Sequence, residues 1–230
     1  MKKVLFTIVA IILSANLALA QNCSQFISAV NGKKLVYSNL DTKGKESGKM
    51  NFTTTKKSGS TVAVHTEVFD KNAKSIGTSD SEMSCDGETI KVDMKSFVPA
   101  ASVKQFSNMQ MQGDVKYLVY PLNLKAGQAL PDGTADIIIN NNGSHMGDIN
   151  MEITNRKVEQ QETLSLPAGS FDCYKITYAT TIKVKMMGIG FPVHMQVTEW
   201  FSPKLGRMVK SETYTKNGKL AGTTQLESIN

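Results

Sequence analysis

Chemistry on a chain of this kind would need a nucleophile, a base or a metal cage, so the histidines and cysteines come first. The 230 residues contain three of each: His65, His145 and His194, and Cys23, Cys85 and Cys173. No His lies within metal-ligand spacing of another His or of a Cys, the local pattern that marks a zinc site. Ser, His and Asp all occur, but no Gly-x-Ser-x-Gly elbow presents a serine nucleophile. Cys173 could in principle work with a distant His as nucleophile and base. It sits inside an apolar strand pattern, however, and reads as a buried small hydrophobe. Gly188-Ile189-Gly190 is flanked by Met187 and Phe191 and reads as a hairpin tip, not as a phosphate-cradling loop. The expectation is a non-enzymatic protein with no catalytic residues, no metal and no cofactor.

Methionine is the one compositional oddity, with 12 in the chain. Met is flexible and polarisable and suits adaptable apolar surfaces. Met186 and Met187 stand beside Ile189, Phe191 and Pro192 in a turn that should be partly exposed. Exposed apolar tips usually need a reason. Met109 and Met111 lie near the end of a candidate helix. Met186, Met187, Ile189, Phe191, Met109 and Met111 are therefore candidate contacts for a partner or an apolar ligand. Ordinary core filling is the competing reading, since most Met residues are buried.

The elements that would position these residues begin after a targeting segment. Lys2 and Lys3 form a positive start, Val4 to Leu17 an apolar core, and Ala18-Leu19-Ala20 a small-residue cleavage site. The apolar run of about 14 residues is shorter than the ~20 needed to span a bilayer. Gln21 and Asn22 separate Ala20 from Cys23, so the small residue that must directly precede a lipidated Cys is missing. The expectation is a signal peptide over 1–20 and one soluble exported domain over 21–230, working in the periplasm or cell envelope. No later stretch approaches membrane-spanning length.

The chain carries a net charge of +6, which falls to about +4 when Lys2 and Lys3 leave with the signal peptide. The basic residues are scattered, without the stripe and stacking aromatics of a nucleic-acid binder. Three cysteines in an oxidising compartment allow one disulfide and leave one thiol. Three pairings exist, and sequence alone does not choose between them. Cys23–Cys85 is favoured: Cys23 is near a terminus that would otherwise fray, Cys85 precedes the Asp86-Gly87 turn, and Cys173 is in an apolar strand.

The dominant pattern is strand alternation between turns. In Thr61–Phe69, Val62, Val64, Thr66 and Val68 share one face. Lys33–Asn39, Thr89–Met94, Val115–Tyr120, Asp136–Ile139, Asn150–Thr154, Phe171–Val184, Val193–Phe201 and Gly206–Tyr214 follow the same rule. The first four turns centre near residues 43, 58, 72 and 87, leaving room for one long strand between each pair, so an antiparallel meander is predicted. The turns at Asp41–Gly48, Asp70–Gly77 and Thr215–Gly222 share a pattern at matching offsets. It reads as recurrent hairpin chemistry in preference to a repeated Lys-tipped binding loop. One helix is predicted over 99–111, where Ala100, Val103, Phe106 and Met109 recur at near-helical spacing before Gly113. The fold class is all-β and mainly antiparallel: a curved sheet or open half barrel, crossed by one short helix.

Three stretches carry a resemblance. They are Tyr120–Asp132; Leu166-Pro167-Ala168-Gly169-Ser170-Phe171 running to Lys175; and Glu199-Trp200-Phe201-Ser202-Pro203 running through Gly206 and Lys210 to Glu212. Together they resemble the TapB-like group of exported bacterial proteins, related to secreted β-rich domains of unknown function. Pro167, Gly169, Phe171, Glu199, Trp200, Pro203, Gly206 and Lys210 are the motif residues. Physically they read as hairpin constraints. The resemblance implies association with a tetratricopeptide-repeat protein of the envelope, and related domains look like half barrels similar to lipoprotein carriers. The leading expectation is an exported envelope protein that binds a protein partner. The alternative is a carrier of a lipid or other apolar ligand.

Overall fold

The computed structural model describes residues 23–98, 110–114, 116–141, 143–186, 190 and 192–230. Alternating apolar and polar residues give thirteen strands: β1 (Lys34–Leu40), β2 (Glu46–Ser58), β3 (Thr61–Asp70), β4 (Ser75–Cys85), β5 (Thr89–Asp93), β6 (Gln110–Gln112), β7 (Tyr117–Pro121), β8 (Gly133–Asn141), β9 (Ser144–Leu166), β10 (Gly169–Met186), β11 (Pro192–Ser202), β12 (Arg207–Thr215) and β13 (Leu220–Ile229). A helix, α1, covers residues 23–30, and a 3-10 turn covers Met94–Phe97. The signal-peptide segment lies outside the described residues.

The strands form one antiparallel sheet in the order β6-β8-β9-β10-β11-β12-β13-β1-β2-β3-β4-β5-β7, which curls into a nearly closed barrel. β1 to β5 are the predicted meander, and β8 to β13 run as a second one. The two join because β13 pairs with β1, setting Leu226 opposite Tyr37. Turn chemistry accounts for the repeated motif. Asp41 Oδ1 accepts from the Lys43 and Lys45 amides at 2.8 and 2.9 Å. Asp70 Oδ1 does the same for Asn72 and Lys74 at 2.9 and 3.0 Å. These carboxylates satisfy the turn's own donors, as Asx turns do.

Successive strands alternate direction, so the β2–β3, β4–β5, β9–β10 and β11–β12 turns share one end of the barrel. The sequence contained no clear signal for α1, yet it caps that end. Phe26 and Val30 are fully buried, each worth roughly 1.5–3 kcal/mol in burial. Cys23 forms a disulfide with Cys85, Cα to Cα 5.5 Å, tying α1 to the β4–β5 turn. Gly206 sits at φ +64°, and a Cβ there would lie 2.3 Å from Phe26 Cε2. That glycine therefore serves both the turn and the close approach of the cap.

Two further devices shape the barrel. Residues 127–130 run along β9 where β8 has ended, with Gly127 N to Val158 O at 2.7 Å and Leu130 N to Arg156 O at 2.9 Å. Beyond Gln161 and before Tyr174, β9 and β10 outrun the segments beside them and pair with each other as a ribbon at the capped end. The helix predicted over 99–111 is corrected in its last residues. Gln110 and Met111 belong to β6, where they pair with Asn140 and Ile139 on the edge of β8. An extended backbone there gives that edge its hydrogen bonds, which a helix could not. Residues 99–109 lie outside the described set.

Candidate functional site

In β9, Ile149, Met151 and Ile153 face the interior by strict alternation, which would put the next inward position at 155. Asn155 instead adopts φ +57°, and the β9–β10 register slips between Thr177 and Ala179. This bulge adds one residue and reverses the parity of the residues that follow it. Arg156 thereby turns inward, 1 % exposed, and Val158 does the same two residues later.

Arg156 enters a layer of charged and aromatic groups in the middle of the barrel. Its Cζ lies 4.6 Å from the centre of the Tyr120 ring, and its Nη1 donates to Val119 O at 3.0 Å and Pro131 O at 2.7 Å. Tyr120 stacks on Phe201, centroids 4.0 Å apart and planes 4° from parallel. The Tyr120 and Tyr178 hydroxyls donate to the two oxygens of buried Glu199 at 2.9 and 3.4 Å. On the far side, Arg207 Cζ sits 3.7 Å over the Phe52 ring and 5.8 Å over Tyr37. Tyr37 donates to Met208 O at 2.7 Å and meets Phe52 edge-on at 5.2 Å.

Burial dominates the electrostatics of this layer. It pushes the Glu199 carboxyl up from its ordinary value, against Arg156 and the two phenols, which favour the carboxylate. It raises Tyr37 to about 12 despite the nearby Arg207 guanidinium. It lowers the Arg207 guanidinium from its usual value, with Tyr37 and Tyr120 opposing the shift. Arg156 Nε and Nη2 and Arg207 Nε and Nη1 have no hydrogen-bond partner among the described residues.

Above this layer, toward the open end, lies a cavity of about 200 Å³. Phe52, Tyr178 and Met208 are part of its lining and also border the charged layer. Met50, Ile182, Met195 and Val197 supply apolar wall, and Thr180, Ser211, Thr213 and Thr224 supply hydroxyls. Val193, opposite Ile182 in the β10–β11 pair, is 55 % exposed. A shallower groove of about 840 Å³ lies at the capped end beside the disulfide and the β4–β5 turn.

The residues singled out in the sequence are dispersed. Met186 ends β10 and Met111 lies in β6, while Met109, Met187, Ile189 and Phe191 fall outside the described residues. Pro167 and Gly169 make the β9–β10 turn, with Gly169 at φ +125°, and Phe171 packs partly buried against the core. Trp200 donates to Glu162 at 2.7 Å, and the Lys210 ammonium stands 4.5 Å over its ring. Pro203 and Gly206 form the turn against α1. Cys173 is buried and free, its thiol pushed up to about 12 chiefly by burial. His65 and His145 pair with Asp80 and Asp148 at 2.7 and 3.0 Å, and His194 meets Thr181 at 3.0 Å. Among the described residues no three potential metal ligands converge.

Of the charged layer, Glu199 is a motif residue and Tyr120, Phe201 and Arg207 fall within the stretches that carry the resemblance, while nothing local marks Arg156, Tyr178, Phe52 or Tyr37. A signal for the rest was available. The 26 basic residues include only two arginines, Arg156 and Arg207, and both are inside the barrel. Surface charge is left to lysine, while the planar guanidinium, less strongly hydrated, is used where burial is required.

These features define a class: an antiparallel barrel with a polar interior layer, capped at one end and, among the described residues, open at the other. The chain belongs to the DUF3108-like family, which it matches over residues 30–226. It is similar in fold to a candidate lipoprotein of Parabacteroides distasonis, at 20 % identity and a TM-score of 0.70, covering 87 % of this chain and 95 % of that one. It is likewise similar to a candidate exported protein of Bacteroides fragilis described as having a YmcC-like fold, at 19 % identity and a TM-score of 0.68, covering 87 % and 96 %. No curated protein matches the chain. No helix among the described residues is long and apolar enough to cross a membrane.

Proposed function

We propose that this chain is a non-enzymatic protein of the bacterial periplasm or cell envelope that binds a protein partner at the open rim of its barrel. The observation that carries this reading is Val193, which holds an apolar side chain 55 % exposed at the rim. It directly follows the apolar sequence Met186-Met187-Gly188-Ile189-Gly190-Phe191-Pro192. An exposed apolar side chain next to an apolar stretch of sequence favours an interface. The Cys23–Cys85 bond suits an oxidising compartment. The resemblance of the three motifs to TapB-like proteins supports a tetratricopeptide-repeat protein as the partner. The test is affinity capture from the native envelope with wild type and with the double variant Met187→Asp, Phe191→Asp. Loss of one specific protein from the variant supports the reading. Unchanged associations would overturn it.

A second reading, binding of an apolar ligand inside the barrel, is favoured by the cavity of about 200 Å³. That volume is below the ~300–1,000 Å³ of pockets that bury a drug-sized molecule, so the ligand would be small or a single chain. Native mass spectrometry of the protein from its own envelope separates the two: a bound small mass supports the ligand, and a protein complex without one supports the partner.

A further inference from the structure

The barrel interior carries more positive charge than it can neutralise. Two carboxylates are buried among the described residues, Asp93 and Glu199. Asp93 is committed to Lys95, 3.3 Å away. Glu199 is held by two phenols and, as a single carboxyl, can offset at most one of the two buried guanidiniums. Arg156 and Arg207 are both buried and leave four guanidinium nitrogens without a hydrogen-bond partner among the described residues. Ordered water can satisfy an N–H group, but it does not neutralise the charge. An uncompensated buried charge is among the least favourable arrangements in a protein interior.

The two guanidiniums have different aromatic neighbours: Arg156 lies over the Tyr120 ring, and Arg207 lies 3.7 Å over the ring of Phe52, a residue that also lines the cavity. The guanidinium fork is the side chain best matched to a carboxylate or phosphate. Directly above, sharing Phe52, Tyr178 and Met208 with this layer, is the cavity with its apolar wall. At about 200 Å³ it offers room for roughly seven groups the size of a water molecule, at ~30 Å³ each. That is the size of a short hydrocarbon chain, and the half-exposed Val193 at the rim extends the apolar path outward.

We propose that the barrel binds a single-chain acidic amphiphile, with its carboxylate or phosphate head drawn to Arg207 beside Phe52 and its chain in the cavity that Phe52 lines. The proposal rests on the apolar-ligand reading and adds a charged head to it.

Titration calorimetry on the folded, ligand-stripped full domain, using octanoate, octyl phosphate, octanol and inorganic phosphate, tests it. The expected result is one-to-one binding of an eight-carbon acid at least tenfold tighter than octanol, with inorganic phosphate weaker than octyl phosphate. Whichever acid binds tighter identifies the head group. Arg207→Gln should remove the preference for acid over alcohol. Because that variant can fail by unfolding, Met195→Trp provides a second arm. It fills the cavity without touching the arginines and should abolish octanoate binding while the far-ultraviolet circular dichroism stays unchanged. Equal affinity for acid and alcohol overturns the acidic head and leaves the apolar-ligand reading intact. No binding of either overturns both. Octanoate binding that survives Met195→Trp places the chain elsewhere and overturns the proposal.

Discussion

The two ends of the barrel are built from the same strands and differ in how completely they are filled. At the capped end, Phe26, Val30 and Leu35 are fully buried, and a disulfide anchors the helix that supplies the first two. At the open end, Met195 and Thr213 line empty space, and the large apolar side chain of Val193 is left in solvent. The charged layer of Arg156, Tyr120, Glu199 and Arg207 separates them. A close-packed end resists change, because lost volume leaves a void. An incompletely packed end can accept atoms from another molecule. The difference assigns stability to the cap and makes the mouth the place for the proposed binding.

That assignment can be broken most directly at the cap. Phe26→Ala should cost about 3–5 kcal/mol, the range for truncating a buried Phe, read from urea denaturation. A cost near zero would mean that α1 is an ornament and not a part of the core. Replacing both Cys23 and Cys85 by Ser opens a crosslink across a separation of 62 residues and should cost roughly 2–4 kcal/mol. Dithiothreitol should lower the wild-type melting temperature and leave the double variant unmoved.

The middle layer sharpens the contrast through pH. Burial raises the Glu199 carboxyl above its ordinary 4.5, so the folded protein keeps that proton to a higher pH than the unfolded chain. Stability from this group is complete below about 4.5 and is lost as pH rises through the folded value. Glu199→Gln removes the loss, and the variant should gain on wild type as pH rises from 4 to 8. A difference that shrinks as pH rises would mean that the carboxylate is stabilised in place. The smallest effect is expected at the mouth. Met195→Ala should cost about 1 kcal/mol or less, since it removes atoms that already border a cavity. It should change binding more than stability.

The local features of the fold were legible because local chemistry makes them. Val62, Val64 and Val68 alternate in sequence and are buried together in the structure. Asp41 and Asp70 close their turns through bonds two and four residues away. The candidate site was much less legible. Methionine is conspicuous because its count is unusual, while two arginines among many lysines are not. No hydrophobic periodicity marks an arginine as buried. Its environment is supplied by Tyr120, Phe52 and Glu199, contributed by strands far apart in the chain.

Strand periodicity, the hairpin turns and the all-β class follow from the order of residues, since each depends on residues within one strand or one turn. Tertiary structure alone decided that β13 pairs with β1, that residues 23–30 fold over one end, and that a left-handed Asn155 turns Arg156 inward. Each of these depends on register between distant segments. A shift of one residue exchanges the two faces of a strand, and only the assembled barrel specifies which shift is taken.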